Sequence, residues 1–182
     1  MIDCLSNVTI KKLILISTIA VYPNPIDVNE DTQIDKAKLS PYGYNRLKLE
    51  SILKEKYETI IIRLPALFGD GLKKNVLFDL INKKHLDKIN LASTYQFYNL
   101  DNLWNDISLA LKHNLKILNI ATEPIILQKI IKSCFDYQIE DNLNSSLRIE
   151  NMKTKYSMIL KGRREYLYSK NEILNDLKLY ID

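Results

Sequence analysis

The chain has 182 residues, 46% hydrophobic and 26% charged, with only 4 Gly and 5 Pro, which makes one globular unit and excludes collagen-like, low-complexity and disordered classes. Lys and Arg outnumber Asp and Glu by 26 to 22, and the basic residues are interleaved with acids, which argues against a nucleic-acid surface. Cys4 and Cys134 make neither a disulfide framework nor a metal-ligand spacing, no apolar run reaches the length of a membrane span, and no basic region precedes an apolar core at the start. A cytoplasmic chain with reduced thiols and no membrane partner is expected.

Residues 3–10 read as the tail of a helix. Leu13-Ile14-Leu15-Ile16 is a short unbroken branched run, as in a strand buried on both faces. Pro23 and Pro25 then forbid regular structure, and residues 27–35 read as an acidic loop. Ser40-Pro41 is a helix start, with a capping hydroxyl followed by a Pro at the first helical position, and the helix is predicted to run to about Tyr57. Residues 59–64, Thr-Ile-Ile-Ile-Arg-Leu, make a second strand. Strand, helix and strand of this kind predict a parallel sheet covered by helices. Residues 68–71 are predicted to turn, 73–85 to be helical and 89–98 to be irregular. Helices are predicted over 101–113, 125–135 and 170–180, a strand over 116–120 and a loop over 136–151. Trp104 is expected to anchor the core, and His85 and His113 to lie at the surface.

Three segments carry chemistry: Ser17-Thr18-Ile19-Ala20-Val21-Tyr22, then residues 40–50 (Ser-Pro-Tyr-Gly-Tyr-Asn-Arg-Leu-Lys-Leu-Glu), then Arg63-Leu64-Pro65-Ala66-Leu67-Phe68-Gly69. In order and spacing they resemble the extended short-chain dehydrogenase/reductases, the NAD-dependent epimerase/dehydratase family of nucleotide-sugar enzymes. Residues 119–124 resemble that family's late strand and the turn after it. The resemblance covers most of residues 11–127 and implies an α/β fold: a partial Rossmann-like parallel sheet with helices, and a small mixed C-terminal substrate-binding part. The division implied is 1–72 with 99–124 for the sheet, and 73–98 with 125–182 for the smaller part.

The family pattern Tyr-x-x-x-Lys has two registers here. Tyr44 with Lys48 is the literal match; Tyr42 with Arg46 is not. At about 100° per residue Tyr42, Arg46, Leu49 and Leu53 share one side, which predicts the packed face, whereas Tyr44 and Lys48 face water. The Ser-Pro-Tyr-Gly start and the trailing Leu-x-x-Glu also select Tyr42. The resemblance therefore implies Tyr42 as acid/base, Thr18 as the hydroxyl that orients the substrate, and Arg46 in the place of the family's Lys, with Tyr42, Arg46, Leu64 and Pro65 against NAD or NADP. Ala66, where many relatives carry Asn, and Lys74 and Asn75 are implied as substrate contacts. Relatives often carry a cation in the stretch matching residues 95–102, and this sequence has none there.

A dinucleotide pyrophosphate is held by a Gly-rich turn opening a helix. The glycines are Gly43, Gly69, Gly71 and Gly162, and no three of them make that fingerprint. The chain resembles the second half of the family's sheet, and three outcomes are expected in consequence. The isolated chain is truncated and inactive and binds dinucleotide poorly. The strand at 13–16 has an open edge, completed by a homodimer or a complementing chain. With the sheet complete, the small-molecule partner is a nucleotide sugar. The alternative is a non-catalytic interaction module derived from the same fold.

Overall fold

The computed structural model describes residues 8–181. In chain order the elements are β1 (Leu13–Thr18), β2 (Ile26–Val28), α1 (Pro41–Lys56), β3 (Thr59–Leu64), β4 (Ala66–Phe68), α2 (Val76–Ile81), β5 (Thr94–Tyr95), β6 (Phe97–Asn99), α3 (Leu103–Lys112), β7 (Ile117–Asn119), β8 (Ile125–Ile126), α4 (Leu127–Cys134), β9 (Asn151–Met152) and α5 (Lys170–Ile181). The expected helix tail over residues 3–10 lies largely outside the described residues, and residues 8–10 are not helical.

The main sheet is parallel, in the order β1-β3-β7. All six residues of β3 are buried, as its run of branched side chains requires of a central strand. Helix α3 packs Ile107 and Ala110 into the cluster formed by Ile60, Ile62, Leu64 and Leu118. A second cluster, with Phe68, Leu77, Phe97, Ile130 and Ile173, joins α2, α4 and α5 to the short strands. β1 ends the sheet. Leu13 N donates to Glu58 O at 2.8 Å, so residues 13, 15 and 17 turn their backbone groups toward β3. Ile14, Ile16 and Thr18 turn theirs to the open side.

Helix α1 starts where the sequence places it: Ser40 Oγ accepts from Gly43 N at 3.1 Å, and Pro41 follows the cap. Its buried residues are Gly43, Leu47, Glu50 and Leu53; of the expected stripe of Tyr42, Arg46, Leu49 and Leu53 only Leu53 is among them, and the other three lie one residue out of phase. The reason is physical. Apolar periodicity weighs a glycine and a glutamate as surface residues. Here the glycine permits a close backbone approach, and the glutamate is drawn inward by an arginine of β3.

Several irregular stretches hold short strands. β2 and β9 pair in parallel, as do β4 and β6, while β5 and β8 pair antiparallel. Two or three residues are too few for a period to be read from sequence. The helix expected over 73–85 shortens to α2, because positive φ at Lys83 and His85 ends it. Trp104 is not a core anchor: it is 67% exposed on α3. The buried residues of that helix are Asp106, Ile107 and Ala110. Among the described residues no helix is long and apolar enough to cross a membrane.

Asp106 explains the orientation of α3. Its carboxylate accepts Tyr98 OH at 2.6 Å and Tyr168 OH at 2.9 Å, joining α3 to β6 and to the segment before α5. Burial pushes its pKa up from the ordinary 3.8, and the two phenol donors only partly oppose this. A raised folded-state pKa means that the folded chain binds this proton more tightly than the unfolded chain. The stabilisation is complete below pH 3.8 and is lost as pH rises through the folded value. Urea midpoints should therefore fall for this group as pH is raised above about 4. Asp106→Asn should flatten that part of the profile, as read by the difference between the two curves.

Candidate active site

The C-terminal ends of the three parallel strands carry a buried polar network. Glu50 of α1 and Arg63 of β3 are 3% and 4% exposed, so neither charge is solvated. Arg63 answers Glu50 with a two-pronged contact, Nη2 to Oε2 at 2.6 Å and Nε to Oε1 at 3.1 Å. Ser17 Oγ donates to the same carboxylate at 2.5 Å. Arg63 Nη1 donates to Tyr22 OH at 2.7 Å, and Asn119 Nδ2 donates to that oxygen at 3.0 Å. Burial lowers the pKa of Arg63, but its bonds and charge contact with Glu50 more than reverse this, and the guanidinium is held above its ordinary value. One network thus pins α1 to β1, β3 and β7.

Nearer its start, α1 is held by shape. A Cβ on Gly43 would lie 2.2 Å from Ala20 O, so the first turn of the helix sits directly on the turn that follows β1. That turn begins at Thr18, whose Oγ1 accepts Ala20 N at 3.2 Å. The Thr18 hydroxyl proton remains available to an acceptor. Tyr42, on the same first turn of α1, is 58% exposed, and its hydroxyl has no hydrogen-bond partner among the described residues. The expected inward, packed position of Tyr42 is therefore corrected: with Gly43 and Leu47 taking the buried face, Tyr42 stands on the flank.

Arg46 lies one turn further along. Its Nη2 donates to the carbonyl of Ile16 on the open side of β1, while its Nε is buried with no partner. Tyr44 is 46% exposed and Lys48 is exposed, on the outer side of the helix.

Leu64 and Pro65 are buried where β3 ends. Ala66, Lys74 and Asn75 line one cavity of about 580 Å³, together with Leu67, Phe68 and Leu100. Of the three residues implied as substrate contacts, Asn75 departs from its expected role. Its Nδ2 donates to Leu67 O at 2.8 Å and its Oδ1 caps α2 by accepting Phe78 N at 3.0 Å, so the amide is committed to the fold. Within the 95–102 stretch, Gln96 is fully buried and binds the backbone of Met152, donating to its carbonyl at 2.8 Å and accepting its N–H at 2.7 Å. Sequence reasoning missed a second cavity of about 620 Å³, in which Lys161, Arg163 and Arg164 face Glu123 and Glu172. It also missed the Glu50–Arg63 pair. A lone Arg in an apolar strand was the available signal, since a charge at such a position needs a partner.

The sequence model of the NAD dependent epimerase/dehydratase family matches residues 1–121. The chain belongs to this family. No curated protein matches it. Among solved structures, it resembles the UDP-N-acetylglucosamine 4-epimerase of Methanobrevibacter ruminantium M1, in complex with UDP-N-acetylmuramic acid, with a TM-score of 0.73 and 15% identity over 99% of this chain and 64% of that one. It also resembles a UDP-glucuronic acid 4-epimerase variant of Bacillus cereus, in complex with NAD and a fluorinated UDP-sugar, with a TM-score of 0.72 and 17% identity over 99% and 63%. The RMD protein of Pseudomonas aeruginosa, complexed with NADPH, gives 0.73 and 13% over 99% and 67%. Identities this low establish a shared Rossmann-like α/β fold. This epimerase/dehydratase family chain spans less than two-thirds of the length of the first two.

Proposed function

We propose that the chain carries the proton-transfer side of an NAD(P)-dependent sugar-nucleotide epimerase, dehydratase or reductase, with Tyr42 as acid/base. The observation that carries this reading is the Tyr42 hydroxyl, unpartnered on the first turn of a helix pinned to three parallel strands, at the end of β1 where Thr18 keeps a donor free. Open α/β sheets bind ligands at such carboxyl ends. Lys74, in the cavity that Ala66 also lines, and the cationic 161–164 segment favour an anionic substrate held by a smaller part built from residues 73–98 and 125–182.

The residues present fit the nicotinamide end of a dinucleotide. Tyr42, Arg46 and the backbone at Leu64 and Pro65 would hold it, and the bound group would supply hydride exchange. No residues in this chain make a Gly-rich pyrophosphate turn. Tyr42 would pass a proton to or from a substrate hydroxyl that Thr18 orients by donating to its oxygen. A phenol is a poor base at neutral pH, and a nearby cation favours the phenolate. Arg46, one turn from Tyr42, would supply that charge once released from Ile16.

The chain by itself is expected to bind NAD(P) weakly, and a micromolar constant in a calorimetric titration would contradict this. Tyr42→Phe should leave the unfolding free energy from urea titration unchanged within about 0.5 kcal/mol, since the residue is 58% exposed and its hydroxyl makes no hydrogen bond among the described residues. The same change should abolish turnover of any assembly that completes the dinucleotide site, and retained turnover would sink the assignment. A second reading, a non-catalytic interaction module, is favoured by the engagement of Arg46 at the sheet edge. It predicts unchanged partner capture by Tyr42→Phe and no turnover in any assembly.

A further inference from the structure

Glu150, just before β9, is a further buried carboxylate met by an arginine. It is 1% exposed, and both of its oxygens are taken. Oε2 accepts Gln96 N at 3.1 Å, while Oε1 accepts Arg148 Nε at 2.6 Å and lies 2.6 Å from Nη2. Arg148 is fixed in other ways too. Its N–H donates to Ser93 Oγ at 3.2 Å, its carbonyl accepts Thr94 N at 2.8 Å, and its guanidinium sits 5.6 Å from the centre of the Tyr95 ring. A surface arginine ordinarily loses rotamer freedom when it binds a ligand, and this one has already lost it. Its side chain is nevertheless exposed. The contacts with Glu150 use the Nε–Nη2 edge, which leaves the terminal Nη1–Nη2 edge for another acceptor.

Arg148 lines a cavity of about 460 Å³ that Ile19 and Ala20, in the turn after β1, and Ser40, the cap of α1, also line. Thr18 precedes that turn and Tyr42 follows that cap by two residues, so the cavity borders the two groups assigned to proton transfer. Lys38 lines it as well, and its exposed pair with Asp35 holds it weakly. Glu150 is the one acid among the described lining residues, and its charge is already met. A group that enters here is therefore attached close to the reacting carbon, and the cavity favours it negative. A planar carboxylate matches a planar guanidinium edge with two parallel bonds.

We propose that Arg148 is a specificity residue that selects an acidic sugar, by receiving the sugar's carboxylate in this cavity with Lys38 adding charge. This rests on the reading of Thr18 and Tyr42 as the reacting end, and it names the substrate class of that site. A neutral sugar would cover the guanidinium edge without supplying a charged acceptor, and so is selected against.

Glucuronate and glucose are the probes, since they differ only in the carboxylate. The chain has five arginines, so the Nε–H signal of Arg148 is identified in a nitrogen-15 spectrum by its loss in Arg148→Gln. At constant ionic strength glucuronate is expected to shift that signal saturably, and glucose is not. Broadening of the glucuronate proton lines by the chain gives the dissociation constant, which should rise about tenfold in Arg148→Gln. Arg148→Lys, which keeps a charge beside Glu150 and lacks the fork, should also weaken binding, and it serves should the Gln variant fail to fold. Glucose 1-phosphate, anionic at another carbon, should shift the Arg148 signal less than glucuronate at equal concentration. No shift with glucuronate, an equal shift with glucose, a larger one with glucose 1-phosphate, or constants unchanged by the substitutions would overturn the proposal. Neither nicotinamide nor turnover enters these readings, so their failure leaves Tyr42 standing, and retained turnover in Tyr42→Phe leaves the carboxylate at Arg148 measurable.

Discussion

Glu50→Ala is expected to destabilise the chain by about 3–5 kcal/mol, enough to unfold a large share of it at 37 °C. Removing the carboxylate leaves the Arg63 guanidinium in a position that is 4% exposed, with its Nε and Nη2 donors unmet. The Ser17 hydroxyl loses its acceptor as well. An exposed ion pair, such as Lys38 with Asp35, would cost under about 1 kcal/mol on the same change. Burial makes the difference, because the remaining charge has no water to turn to. The pair itself need not add net stability, since two charges were desolvated to form it. The double change Glu50→Leu with Arg63→Met is therefore expected to recover most of the loss. Urea denaturation of the single and double variants checks both statements. A loss below about 1 kcal/mol for Glu50→Ala would mean that the network does not hold the helix.

Gly43→Ala is expected to destabilise by about 1–3 kcal/mol, although Ala is the better helix former. The added Cβ would lie 2.2 Å from Ala20 O, and that obstacle is backbone rather than a flexible side chain. The helix must lift from the turn after β1, or the turn must move. Either movement displaces the first turn of α1, on which Tyr42 stands, relative to Thr18. A helix-propensity gain of about 1 kcal/mol cannot offset a contact of that kind. A urea midpoint equal to or above that of the native chain would show that the close approach is not a constraint. Gly71→Ala is the contrasting case: no atom lies within 4 Å of its added Cβ, and only the φ of +80° opposes it.

The elements that position the site were legible where local chemistry specifies them. The Ser40-Pro41 start, the end of α1 near Tyr57, and strands β1 and β3 lie where capping and branched apolar runs predict. The face of α1 was not legible. Its buried side contains Gly43 and Glu50, one chosen by a close approach and the other by an ion pair with a residue of the next strand. Neither contact leaves an apolar period to read. In α3 the apolar face with Ile107 and Ala110 packs as its period implies, but buried Asp106 was not legible, because two tyrosines outside the helix supply its partners, and Trp104 is exposed. Short parallel pairs such as β4 with β6 depend on contacts distant in sequence and carry no local signal. Membership of the epimerase/dehydratase family was legible from three motifs in register, and the family match over residues 1–121 bears it out. The commitment of the Asn75 amide to Leu67 and Phe78 could be seen only once the backbone around it was in place.

The proposed function has this chain hold the nicotinamide end of a dinucleotide through Tyr42 and its neighbours. Saturation-transfer NMR on the chain with NAD tests it most directly, because weak binding is visible and each end of the ligand is read separately. Saturation of the nicotinamide protons well above that of the adenine protons is expected, with its loss in Tyr42→Ala. Adenine protons saturated as strongly as nicotinamide, or a nicotinamide signal unchanged by Tyr42→Ala, would overturn the assignment.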